Sequence, residues 1–172
     1  MGESNHTLDF GFEPSLSLGS TAFIDLNNDG IQSGVGETGI DGLTVNLYAA
    51  ADPMTPIATT TTAGGGHYFF NGLAAGNYIV GIVPNSSYPV ASSVVTANSG
   101  VVGDTDGVNT GTQVGGVGES KSGTIALSVG TQPTTDTAPG ASGLTADNAN
   151  GNATIDFGFV PTVSIGSVVY YD

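Results

Sequence analysis

The chain has 172 residues, including 28 Gly and 8 Pro, enough for one domain or one domain with extensions. Fifteen Asp and Glu face a single cation, Lys121, for a formal net charge of −14. That balance excludes nucleic acid and anionic membrane surfaces as partners, because nothing neutralises phosphates. There is no Cys, hence no disulfide framework and no thiolate site, and no apolar run is long enough for membrane insertion. The opening Met1-Gly2-Glu3-Ser4 has no signal-peptide character, so an export signal is expected either upstream in a longer protein or already removed. So many acids without cations repel one another in a compact state, which points to a fold that depends on a bound cation.

The two ends of the chain repeat each other. Residues 5–25 and 152–172 align without a gap at an offset of 147, with 11 of 21 positions identical. The chain therefore holds one full period, 15–161. Residues 1–14 are expected to be the last strand of a preceding repeat, and 162–172 the first strand of a following one.

Between those ends the pattern is all-β. Leu16, Leu18, Ala22 and Ile24 share one face of the first strand. Leu43, Val45 and Leu47 mark a second strand, Tyr68 and Phe70 a third, and Tyr78, Val80 and Ile82 a fourth. Ile125, Leu127 and Val129 mark a fifth, and Ile155, Phe157 and Phe159 a sixth. Short strands separated by Gly, Asn and Pro turns predict a β-sandwich. Segments 98–123 and 130–151 read as long irregular loops that need a bound ion to be ordered.

The sharpest local motif is Asp25-Leu-Asn27-Asn-Asp29-Gly30-Ile31-Gln32. Oxygen-bearing side chains at positions 1, 3 and 5, followed by Gly, form the front half of an EF-hand-type calcium loop. The Ile31 carbonyl is expected to point inward. The closing carboxylate is Glu37, one residue later than in the standard loop, with Asp41 in reserve. The competing reading is an ion-free Asn/Asp/Gly turn. Asp104 and Asp106 are candidates for a second ion, which Asp147, Asn148 and Asn150 would complete; solvated loop acids explain them equally well. Asp156 and Asp9 sit beside aromatics in strands and either face solvent or anchor a turn. His6 and His67 form no pair, no Ser stands in a nucleophile setting, and no cofactor motif is present, which argues against an enzyme. Lys121 lies in a polar stretch, which disfavours an intramolecular isopeptide crosslink.

Three motifs in order carry a family resemblance. The first runs from Ser17-Leu18-Gly19 through Phe23 and the Asp25 loop to Glu37-Thr-Gly-Ile-Asp-Gly-Leu-Thr-Val-Asn-Leu. The second is Gly66-His-Tyr68-Phe-Phe70-Asn-Gly-Leu73-Ala-Ala-Gly76-Asn-Tyr78-Ile-Val80, and the third Asn152-Ala-Thr-Ile-Asp156-Phe-Gly-Phe159. Together they resemble the SdrD B-like repeats of bacterial surface proteins, relatives of the Cna B-type domains, over about 15–161. The resemblance implies a Greek-key or prealbumin-like β-sandwich with calcium-held loops. It implies Asp25, Asn27, Asp29, the Ile31 carbonyl and Glu37 as calcium ligands, with Asp104 and Asp106 in the later acidic loop. It also implies a secreted or cell-surface stalk built of neighbouring copies arranged head to tail.

Two functions compete on this sequence. One is a calcium-stabilised structural repeat of an extracellular fibre. The other is an adhesive module recognising a carbohydrate or protein through its long loops. The repetition favours the first, as does the absence of Phe, Tyr or Trp from 98 to 151.

Overall fold

The computed structural model describes residues 11–33, 35–96, 107–116, 118–133 and 149–162. It is a β-sandwich of two sheets, with no α-helix among the described residues. The first sheet is organised by β1 (Leu16–Ile24). One edge of β1 pairs antiparallel with β4 (His67–Leu73), Leu18 opposite Phe70. Its other edge pairs in parallel with β10 (Gly151–Asn152) and then β11 (Phe157–Val160), Ile24 opposite Phe159. The short β6 (Val90–Ala91) closes that side against β11. The second sheet runs β3 (Asp52–Thr61), β2 (Thr44–Ala49), β5 (Gly76–Val83), β8 (Ser120–Lys121) and β7 (Thr112–Gln113). In it β9 (Ile125–Leu127) also pairs with β5.

The core is the set of side chains that the alternation places between the sheets: Leu16, Leu18, Val45, Leu47, Val80, Ile82, Ile125, Leu127, Phe157 and Phe159, all buried. Phe157 meets Tyr68 edge-on with ring centroids 6.3 Å apart, and the Tyr68 hydroxyl donates to the Ile155 carbonyl. Both faces of β1 are buried, so Phe23 is enclosed as well. Gly66 is required by crowding: its φ is +83°, and a Cβ there would lie 2.2 Å from the Ala22 carbonyl oxygen.

Several expectations need correction. Val129 is exposed, because β9 ends at Leu127. The 98–123 stretch is less irregular than its composition suggests, since it contains β7, a 3₁₀ turn at Val114–Gly116 and β8. β3 is a ten-residue strand with no counterpart in the apolar pattern. It is a sheet edge, largely exposed, and it carries Pro53 and Pro56, which edge strands tolerate.

The single cation sits on the outside of the second sheet. Lys121 Nζ lies 3.3 Å from Glu119 and 3.8 Å from the centroid of the Tyr48 ring, and it donates to the Pro53 carbonyl at 2.7 Å. Glu119 in turn accepts from Asn46 Nδ2 and from the Tyr48 hydroxyl. This polar clasp crosses from β8 over Gly81 of β5 to β2 and the edge strand β3.

Two outcomes follow from this packing. Phe159→Ala is expected to cost about 3–5 kcal/mol in chemical denaturation, the range for a truncated buried aromatic. Burial, then the hydrogen bond and charge of Glu119, push the Tyr48 hydroxyl up to about 12 from its ordinary 10.0. The folded state therefore keeps a proton that the unfolded chain releases in that window. Its contribution to stability is intact below the lower value and fades as pH rises toward the upper one. The melting temperature of Tyr48→Phe should fall less steeply with pH across this range than that of the parent chain.

Candidate cation site

The acidic loop begins where β1 stops. Asp25 is fully buried, and its two carboxylate oxygens accept from the Asp29 and Gly30 amides at 3.2 and 2.9 Å. Asn27 Oδ1 accepts from the Asp29 amide, and Asn27 Nδ2 donates to Asp29 Oδ2 at 2.8 Å. Asp29 Oδ1 accepts from the Ile31 amide at 2.8 Å. Glu37 is buried and spans the loop from the far side, taking the Leu26 amide on Oε1 at 3.2 Å and the Ser33 amide on Oε2 at 2.9 Å. One carboxylate oxygen from each of Asp25, Asp29 and Glu37 lies within 4.8 Å of the others.

Like charges at that spacing oppose folding. Two carboxylates about 5 Å apart repel by roughly 3 kcal/mol at an effective dielectric of about 20. The donor set consists of hard oxygens only, three carboxylates with the Asn27 side chain beside them, which is the chemistry that suits calcium or magnesium and not a soft metal.

The other sequence candidates fall elsewhere. Asp41 is not in this cluster; its Oδ1 accepts from the Gly65 and Gly66 amides at 2.9 and 2.6 Å. Those bonds, Gly66 first, hold its carboxyl below the usual range. The Ile31 carbonyl accepts from the Ser33 amide at 3.0 Å. Asp104, Asp106, Asp147, Asn148 and Asp9 lie outside the described residues. Asn150 Oδ1 accepts from the Gly130 amide. Asp156 is buried and anchors chain segments: it accepts from the Ser20 hydroxyl at 2.6 Å, the Thr21 amide at 3.1 Å and the Gly107 amide at 2.8 Å.

Two residues that support the site carried little sequence signal. Asn28 has φ 58°, and its side chain exchanges hydrogen bonds with Ser93, through the amide to Oδ1 and Nδ2 to the hydroxyl, both at 2.8 Å. Asn109 is buried. Its amide donates to the Gly30 carbonyl, while its side chain bonds Val94, Gly111 and Gly158. Gly30 itself (φ +79°) packs so closely that a Cβ would lie 2.7 Å from the Val94 carbonyl oxygen. The positive φ of Asn28 was the one readable hint, since Asn tolerates it in an Asn-Asp-Gly turn.

Fold and site together define an all-β sandwich module bearing an oxygen-rich acidic loop at the end of its first strand. The family model for the SdrD B-like domain matches residues 16–129, and the chain belongs to that family, a family of surface-protein domains and not of enzymes. Serine-aspartate repeat-containing protein F of Staphylococcus epidermidis is 36% identical over 101 residues, covering 58% of this chain and 6% of that protein. A fibrinogen-binding protein of the same species is 40% identical over 81 residues, covering 46% of this chain and 7% of the relative. The match thus spans only a small fraction of these much longer relatives.

The role of Asn28 is testable by paired substitution. Asn28→Gly loses the bonds to Ser93 but relaxes the backbone. Asn28→Ala loses the bonds and also forces an ordinary side chain into left-handed φ, at a cost of about 1–2 kcal/mol. Ala should therefore be the less stable variant in urea denaturation, and an equal loss in both would refute the backbone argument.

Proposed function

We propose that this chain is a calcium-stabilised structural repeat of an extracellular bacterial surface protein, joined head to tail with copies of itself. The observation that carries the calcium reading is the convergence of Asp25, Asp29 and Glu37, two of them buried, in a loop of oxygen donors. The ion would offset their mutual repulsion, and these three residues with Asn27 would hold it. Because it binds only the folded loop, its binding free energy adds to folding stability.

The head-to-tail reading is supported by direction. Parallel pairing of β1 with β11 means that the chain enters at one pole and leaves at the other. It is also supported by a pair of identical segments, Asp-Phe-Gly-Phe at 9–12 and 156–159. Phe159 is 0% exposed in β11, whereas its counterpart Phe12 is 94% exposed. An apolar side chain that is core material in one copy of the sequence needs an equivalent cover in the other, and the preceding module supplies it. The reading of an extracellular location is supported by membership in this surface-protein family, together with an acidic, Cys-free composition.

Thermal unfolding with calcium and with chelator tests the reading. Extracellular calcium modules bind at roughly 0.1–1 mM, and a hundredfold excess over Kd stabilises by about 2.7 kcal/mol. The melting temperature should rise at millimolar calcium. Asp25→Ala should remove most of that rise, whatever it does to the calcium-free baseline. A melting temperature indifferent to chelation ends the calcium proposal.

A further inference from the structure

We propose that the outward tip of the acidic loop, formed by Leu26 and Val35, is the surface on which the next copy of this module seats. Cation binding in one module thereby sets how rigidly the following module is held. The inference rests on the tandem, calcium-bound reading above and assigns a contact to it.

The placement comes from strand register. Ile24 lies opposite Phe159 in the parallel pair, and the Asp25 amide donates to the Phe159 carbonyl at 2.9 Å. Continuing that register, Leu26 stands level with Pro161, so the acidic loop and the departing chain share one pole. The spacing comes from the repeat. Residues 162–172 repeat 15–25, which makes Val163 the counterpart of Leu16, the first residue of β1. By that repeat, only Pro161 and Thr162 would separate the last strand of one module from the first strand of the next. The three Cα–Cα steps from Val160 to Val163 reach about 11 Å at most, and the Thr162 amide is bonded to the Ser87 carbonyl at 3.0 Å. Consecutive poles therefore cannot avoid contact.

The chemistry of the two poles matches. Val35 is fully exposed and Leu26 is half exposed; with Ile31, which is 46% exposed, they are the apolar side chains of a loop whose other residues are Asn, Asp, Gln, Ser, Gly and Glu. A Cβ on Gly36 would lie 3.1 Å from Leu26 Cδ1, so the Leu26 side chain lies against the turn that carries Val35. At the opposite pole β1 begins beside Leu73, and Leu127 lies opposite Gly76. The residues there are the exposed Ala74–Ala75 turn and Val129, which is 46% exposed. Leu26, Val35, Ala74, Ala75 and Val129 are themselves uncharged, which matters between copies that each bear a net negative charge.

The coupling runs through Glu37. Its two oxygens take the amides of Leu26 and Ser33, which flank the tip. A cation that fixes this carboxylate also fixes the backbone on both sides of the apolar cap.

The test is a chain of two consecutive repeats at their natural two-residue spacing, followed by NMR relaxation and small-angle scattering. In saturating calcium the two repeats should tumble as one rod, and in chelator as two independent bodies. Leu26→Ser with Val35→Ser in the first repeat should restore independent tumbling in calcium. So should Val129→Asp in the second, at the pole remote from the cation loop. Each repeat should still show its calcium-induced rise in melting temperature. Variants that tumble like the parent, a parent whose repeats move independently in calcium, or a junction that stays rigid in chelator would overturn the proposal. Loss of the melting-temperature rise in the parent is a separate result, which overturns the calcium reading itself.

Discussion

The parallel hydrogen bonding of β1 with β10 and β11 is the constraint on which the rest of this structure depends. It joins the beginning of the domain to its end, and it closes the first sheet only after the whole intervening chain has been laid down. It carries Phe157 and Phe159 into the core against Tyr68. It also aligns the ends of the two strands, so that Asp25 follows β1 beside the last residues of β11. An antiparallel pairing of the same strands would have returned the chain to the pole where it started, with the acidic loop far from the exit.

The second organising theme is how a chain with one Lys accommodates its acids. Backbone amides at tight turns take the part that cations usually play. Asp25 binds two of them, Glu37 two, Asp41 two, and Asp156 two plus a hydroxyl. Successive amides in a turn present a concave patch of partial positive charge, and charge-assisted bonds to carboxylates are stronger than neutral ones. Each of these acids therefore shapes a turn while being partly neutralised by it. At the Asp25 loop three such carboxylates meet.

Legibility in the sequence followed burial. β1, β2, β4, β5, β9 and β11 bury one or both faces, so their apolar residues alternate or cluster and could be read directly. β3 could not be read, because its residues are exposed and its strand geometry is imposed by pairing with β2 from Ala49 to Thr44. β7 and β8 are two residues each, too short for any period to register. Within the site, Asp25, Asp29 and Glu37 were legible because local spacing within one loop brings them together. Asp41 looked equally available, but the chain beyond Glu37 turns back along β1, with the Ile40 amide bonded to the Ala22 carbonyl. That path carries Asp41 to the Gly65 and Gly66 amides. Asn109 and Asp156 act across long sequence separations, and no local pattern announces such contacts.

Two identical Asp-Phe-Gly-Phe segments in one chain invite mispairing, because the slot between β1 and β6 accepts that sequence whichever copy arrives first. Direction prevents this within the molecule. To lie in that slot, Phe12 would have to sit beside Ile24, at the far end of β1, with only Glu13, Pro14 and Ser15 as a tether. The four Cα–Cα steps from Phe12 to Leu16 reach about 14 Å, whereas β1 from Leu16 to Ile24 runs about 26 Å. The upstream copy is therefore barred from its own module by length alone. A repeat array with this topology proofreads its strand order geometrically, leaving strand exchange between separate chains as the route to misassembly.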